Sequence, residues 1–236
     1  MESKKHGSGL IMIIEIDSKT NVSEHKIGVL GIRSNILIEE LTNFDVNKCI
    51  DLKSENEINK TFDFIFVSGY YKIIPDKYIN KPKYGIYCFH ESPLPEGRGH
   101  APIQWAVLNQ RKNLTISMFK IDSGIDTGLI SQIYNVPIDL LDTYHIIDQK
   151  RRTGIKQCFN QFLLNLDSGF IILHEQSGSS SYHNKRTPDD SELDKMKKLV
   201  DLWDNIRICD NEKFPAFFKI NKKKIILRYE VVDDFN

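Results

Sequence analysis

Tyr87-Cys88-Phe89-His90-Glu91-Ser92-Pro93-Leu94-Pro95-Glu96-Gly97-Arg98-Gly99 is the stretch on which the reading of this chain turns. It continues through Ala101-Pro102-Ile103-Gln104-Trp105 and reaches Ile121-Asp122-Ser123-Gly124-Ile125-Asp126-Thr127-Gly128. An apolar run, Tyr84 to Phe89, ends at a histidine, as a buried parallel strand does when it delivers a side chain to its carboxyl end. The loop that follows is dense in proline, which fixes φ, and glycine, which frees it. Such a loop sets geometry. Ala101 to Leu108 then reads as a helix, and the Asp-x-Gly-x-Asp-x-Gly turn offers two carboxylates, one of which is needed only to cap the turn. A carboxylate held beside an imidazole orients it and favours its protonated form.

Working outward, the same pattern repeats. Lys26 to Ile32 is a short apolar run ending at Gly31-Ile32, and Leu10 to Ile16 reads as an edge strand after a frayed start over Met1 to Gly9. Ser34 is placed to cap a helix whose apolar face is Ile36, Leu37, Ile38 and Leu41. Asp45 to Leu52 and Phe62 to Ser68 are further strands, and Lys72-Ile73-Ile74-Pro75 is a turn leading to a short helix ending at Ile79. Strands alternating with helices predict an α/β fold, a Rossmann-like and mostly parallel sheet with flanking helices.

Beyond the turn, Leu114 to Ile121 and Leu129 to Val136 read as strands on either side of it. Thr143 to Leu166 predicts a long helix, with Ile146, Ile147, Ile155, Phe159, Phe162 and Leu163 at helical spacing. Gln176 to Asp190 is rich in Ser, Gly and Asn and reads as a loop. Ser191 to Cys209 predicts a second helix, and Ala216 onward a β-hairpin turning at Asn221-Lys222-Lys223-Lys224. The expected organisation is a catalytic domain over 1–175 and a small extension of loop, helix and hairpin over 176–236.

Composition narrows the class. The chain has 236 residues, 32 Lys+Arg and 32 Asp+Glu, so its net charge is zero. A protein built to neutralise many phosphates would be strongly basic. The four cysteines, Cys49, Cys88, Cys158 and Cys209, show no CxxC or Cys/His spacing and read as reduced thiols of a cytoplasmic protein rather than disulfides or zinc ligands. No apolar run approaches the roughly 20 residues of a membrane span. Gly28-Val29-Leu30-Gly31 fails the G-x-G-x-x-G dinucleotide pattern, and no metal-ligand cluster is visible. Tyr70 and Tyr71 fit either a pocket for a flat ligand or the core.

Taken together, His90, Ser92, Leu94, Pro95, Arg98, Gly99, Pro102, Thr115, Asp122, Gly124, Asp126 and Gly128 resemble the formyltransferases that use N10-formyltetrahydrofolate. The resemblance runs from about Phe64 past Thr143. It implies a catalytic His90 and Asp126, with Cys88 standing where the family carries asparagine. It also implies a folate site formed by Tyr70, Tyr71, Ile73, Ile74, Pro75, Asp122 and Gly124, and a substrate side formed by Ser92, Pro93, Arg98, Gly99 and Arg186. The stretch from Arg186 through Ile206-Arg207 to Phe214-Pro215-Ala216-Phe217 looks like that of the nucleotide-sugar N-formyltransferases. The implied partner is therefore a nucleotide-linked amino sugar rather than a nucleic acid or membrane, and the C-terminal β-barrel of the methionyl-tRNA enzymes is not expected. Apolar residues on both faces of the terminal hairpin suggest a homodimer. Four readings of Cys88 stand open: a slower enzyme, an enzyme with a compensating donor, a binding protein that has lost activity, and a nucleophilic thiol.

Overall fold

The computed structural model describes residues 2–5, 10–16, 21–46 and 48–233. In chain order the elements are β1 (Glu2–Lys5), β2 (Leu10–Glu15), β3 (Ile27–Leu30), α1 (Ser34–Asn43), β4 (Cys49–Leu52), β5 (Phe64–Val67), α2 (Asp76–Ile79), β6 (Gly85–His90), β7 (Arg98–Gly99) and α3 (Pro102–Leu108). They continue with β8 (Asn113–Lys120), β9 (Ile130–Pro137), α4 (Tyr144–Asp167), β10 (Phe170–His174), β11 (Tyr182–His183), α5 (Trp203–Arg207), β12 (Ala216–Ile220) and β13 (Lys223–Leu227).

Among the described residues, nine strands form one sheet in the order β1-β2-β10-β9-β8-β6-β5-β3-β4. The Rossmann-like part is β6-β5-β3-β4, whose three pairings are parallel. From β6 outward through β8, β9, β10 and β2 to β1 every pairing is antiparallel. Counted by direction, β3, β4, β5, β6, β9 and β2 run one way and β8, β10 and β1 the other, so the sheet is mixed with one direction dominant. The expected α/β sheet with flanking helices is what forms.

Side chains alternate across the central strands because a strand has a period of two. Val29, Phe64, Phe66, Tyr87, Phe89, Ile116 and Met118 face α1, α3 and α4, which contribute Leu37, Val107, Phe159 and Phe162. Leu30, Ile65, Val67 and Ile86 face the other way, against Ile74, Tyr78 and Ile79 from the α2 side. Both faces are covered, which is why these strands are apolar along their whole length. α4 starts where expected, with the Thr143 hydroxyl accepting from Ile146 N at 3.4 Å.

Several expectations need correction. Ser34 is the first helical residue and caps nothing: the residue before it is Arg33, with no side-chain cap. The supposed frayed start contains β1, which takes the sheet edge outside β2; residues 1 and 6–9 lie outside the described residues. β10 was not foreseen, since only Ser168-Gly169 separates it from α4. Ser191 to Cys209 is not one helix. Leu193 N instead donates to Phe217 O at 2.6 Å, so this part of the chain pairs with β12, and helix is left only at 203–207 after a short 3-10 turn. The expected apolar stripe consequently faces outward at Met196, Leu199 and Val200.

Residues 203–207 are pinned to the segment just before α4. Trp203 Nε1 donates to Leu140 O at 2.8 Å, and Arg207 Nη1 to the carbonyls of Asp139 and Asp142 at 3.0 and 2.8 Å. Residues 182–183 pair in parallel with β7, which ties the expected loop directly to the Arg98-Gly99 segment.

Candidate active site

His90 is the last residue of β6 and is 7 % exposed. Its Nε2 lies 2.8 Å from Gly97 O, and facing a carbonyl it must carry the proton. Its Nδ1 lies 3.7 Å from Asp126 Oδ2, so both ring nitrogens look at oxygens. Asp126 takes φ 52 in the turn between β8 and β9, and the same Oδ2 accepts from Gly99 N at 2.9 Å.

The turn explains the division of labour between its two carboxylates. Asp122 Oδ1 accepts from Gly124 N at 3.0 Å and Thr127 Oγ1 at 2.5 Å, closing the loop on itself. This is the capping role that an Asp has in turns. Asp126 is left free to face His90. Gly128 follows because nothing larger fits: a Cβ there would sit 1.7 Å from Lys120 O.

His90 and Asp126 open on a cleft of about 990 Å³. It is also lined by Tyr70, Tyr71, Ile73, Ile74, Asp122, Gly124, Gly99 and Arg186. Tyr71 and Ile73 are three-quarters exposed at this opening, whereas Ile74 turns into the core beneath. Tyr70 OH donates to Glu55, and Pro75 stands before α2 outside the lining. Arg186 donates to Asp190 O at 2.7 Å and lies 5.8 Å from the Trp105 ring centre. Ser92, Pro93 and Arg98 are placed elsewhere. Ser92 and Pro93 line a separate cavity of about 270 Å³, and Ser92 Oγ donates to Glu96 O at 2.8 Å. Arg98 turns its guanidinium toward Gln176 and Tyr182.

Cys88 points to the same side of β6 as His90, two residues away. Its surroundings are apolar: Leu94, Phe119, Ile130 and Ile121. The thiol reaches no closer acceptor than Phe89 O, at 3.7 Å. Burial, reinforced by the negative charges of Asp126 and Glu91, pushes the thiol far above its ordinary range. A nucleophilic cysteine needs the reverse, a pKa lowered by a cationic neighbour or helix N-terminus. The thiol is therefore neutral at physiological pH. Iodoacetamide at pH 7.5 is expected to label Cys88 more slowly than free cysteine, as read by mass spectrometry of the peptide; labelling as fast as free cysteine would contradict this environment. Cys49, raised by burial to about 11, and Cys158, raised to about 12, are expected to be slow as well.

Two groups near His90 escaped the sequence reading. Glu91 Oε1 lies 3.8 Å from Arg151 Nη1, and Arg151 also pairs with Asp148. Arg151 is buried on α4 in line with Ile147 and Ile155. A charged residue on an apolar helical stripe was the available signal. Gln176 is the other, treated below. Among the described residues, no group of three or more His, Cys, Asp or Glu is placed to hold a metal ion, and no helix is long and apolar enough to cross a membrane.

Residues 35–163 match the family model described as formyl transferase, more than half the chain and including both His90 and Asp126. The chain belongs to the formyl transferase family. It is 29 % identical over 175 residues to a methionyl-tRNA formyltransferase of Thermotoga neapolitana, covering 74 % of this chain and 56 % of that one. The chain spans about half the length of the curated relatives it matches. Among solved structures, the fold is similar to that of a methionyl-tRNA formyltransferase from Clostridium thermocellum, with TM-score 0.72 and 22 % identity, covering 88 % of this chain and 93 % of that one. It is also similar to a sugar N-formyltransferase from a Shewanella species, with TM-score 0.65 and 17 % identity, covering 88 % and 98 %.

Proposed function

We propose that this formyltransferase-family chain moves a formyl group from N10-formyltetrahydrofolate to the primary amine of a nucleotide-linked amino dideoxy sugar, such as a dTDP-4-amino-4,6-dideoxyhexose, for surface-glycan synthesis. The observation that carries the reading is the His90–Asp126 pair on the lining of the 990 Å³ cleft. The lining fits a folate: Tyr70, Tyr71, Ile73, Ile121 and Ile125 offer apolar surface for a flat ring system. Bound there, formyl-folate would supply an activated formyl carbon for an amine to attack.

The chain's own groups do the rest. His90 is the polarising donor: its N–H, turned from Gly97 O to the formyl oxygen, meets the negative charge that grows there. It is also the group placed to return a proton to the departing nitrogen. Asp126 orients the ring, stabilises its protonated form and takes part in removing the proton that the attacking amine releases, which balances the proton His90 gives to the folate nitrogen. Cys88 supplies at most a weak S–H donor beside them.

Support for a nucleotide sugar comes from the part of the cleft outside residues 35–163. There Lys185, Arg186 and Lys213 bring positive charge suited to a diphosphate. Zero net charge gives no support to a large polyanion as substrate. The methionyl-tRNA relatives favour a second reading, the amine of a charged tRNA. One assay separates the two. The protein is incubated with formyl-folate and either a panel of nucleotide amino sugars or methionyl-tRNA, and products are weighed by mass spectrometry. Gain of one formyl group on a sugar is the expected result. Formylation of the tRNA alone would establish the second reading, and tight nucleotide-sugar binding without formylation would make the chain a binding protein. The reading also takes the protein as a cytoplasmic homodimer, to which the exposed Ile220, Ile225 and Ile226 of the hairpin lend support.

A further inference from the structure

We propose that Gln176 is a positioning residue for Asp126 and that, through it, the segment after β10 holds the His90–Asp126 pair in register. The inference rests on the reading that this pair performs the chemistry. Gln176 Nε2 donates to two backbone carbonyls of the turn, Asp126 O at 2.8 Å and Gly128 O at 2.9 Å. Its Oε1 accepts from Arg98 Nη2 at 2.5 Å. Turning the amide over would set oxygen against two carbonyls and nitrogen against a guanidinium, so the network allows one orientation.

What this amide holds is the side of the turn that the Asp122 bonds leave open. Asp126 is in the left-handed region, which a non-glycine residue keeps only when its surroundings enforce it. Asp122 and Thr127 close the far side of the turn. Gln176 closes the near side by gripping the carbonyls of residues 126 and 128. Its oxygen end grips Arg98, whose neighbour Gly99 donates to the Asp126 carboxylate. Gln176 thus touches both sides of the Gly99–Asp126 contact.

The same segment controls the other oxygen facing His90. Ser181 Oγ accepts from Gly97 N at 2.9 Å, and Gly97 O is the partner of His90 Nε2. Tyr182 and His183 pair with Arg98 and Gly99. Residues 176–183 therefore set the positions of both acceptors around the imidazole, although they lie beyond the residues that match the family model.

The test is a double-mutant cycle of Gln176→Ala with Asp126→Asn, joined by Gln176→Glu. Gln176→Glu keeps the acceptor toward Arg98 and loses both donors to the turn. Gln176→Ala and Gln176→Glu should each lower kcat on the order of 10–100-fold, the effect of a sub-ångström to ångström displacement of a supported site group, with the KM for formyl-folate held within about twofold. In the Asp126→Asn background, Gln176→Ala should add less than about twofold, because groups acting as one unit are not additive. The ¹⁵N resonance of His90 Nδ1 should move in Gln176→Ala in the direction it moves in Asp126→Asn. That readout needs no turnover, so it stands even if the protein proves not to transfer formyl groups. Additive losses in the cycle, near wild-type activity of Gln176→Glu, or an unmoved His90 resonance in Gln176→Ala would each overturn the role.

Discussion

His90→Asn is expected to lower kcat for formyl transfer about 10²–10⁴-fold, the range that general acid–base and charge-stabilising groups supply. The KM for formyl-folate should stay within a few-fold. Among the titratable side chains on the cleft lining, His90 stands between a carbonyl and a carboxylate, Gly97 O and Asp126 Oδ2, and so combines a donor with a partner for the charge it takes on. Asparagine retains a donor but is too short to reach both oxygens and has no proton to exchange. The polar partners of this ring are Gly97 O and Asp126, not the apolar residues assigned to the folate, so binding is expected to be spared. Steady-state kinetics with a thermal-melting control reads the result. Normal turnover in the variant would remove His90 from the mechanism, and an equal rise in KM with kcat unchanged would make it a binding residue.

Cys88→Asn carries the second large effect and has the opposite sign. A side-chain amide is a good donor to a developing oxyanion, whereas a thiol is a weak one. Loss of one such donor costs about 10²–10³ in rate, so restoring it should raise kcat by up to about 10²-fold. The added atoms have room, because Cys88 already contributes to the cleft lining. Burial, with the charges of Asp126 and Glu91, raises the thiol pKa and so disfavours a thiolate that the substitution would forfeit. An unchanged rate would show that another donor already serves the oxyanion. A fall would show that the thiol, or the apolar pocket around it, is required.

The elements that local pattern could define were legible in the sequence. β3, β5 and β6 are buried on both faces, so their continuous apolar runs announced them. α4 announced itself by the spacing of its apolar residues. What pattern could not supply was pairing at a distance. Leu193 is held to Phe217 by a backbone bond, and that tertiary partner outcompetes the helical preference read over 191–209. The family resemblance made Arg98 part of the substrate side. Its direction is decided 78 residues away, at Gln176. The chemistry divides the same way. His90 was visible as a residue at a strand end before a rigid loop, while its meeting with Asp126 followed only from the family resemblance. Gln176, in a loop of Ser and Gly, gave no sign of its task.

The central claim is that the His90–Asp126 site transfers a formyl group to an amine. It is tested most directly by supplying N10-formyltetrahydrofolate labelled with ¹³C in the formyl group, together with the nucleotide amino sugar identified in the panel, to the wild-type protein and to His90→Asn. The label is expected on the amine nitrogen of the sugar with the wild-type protein and at background level with the variant. No labelled product with the wild-type protein, or equal labelling by both, would contradict the account.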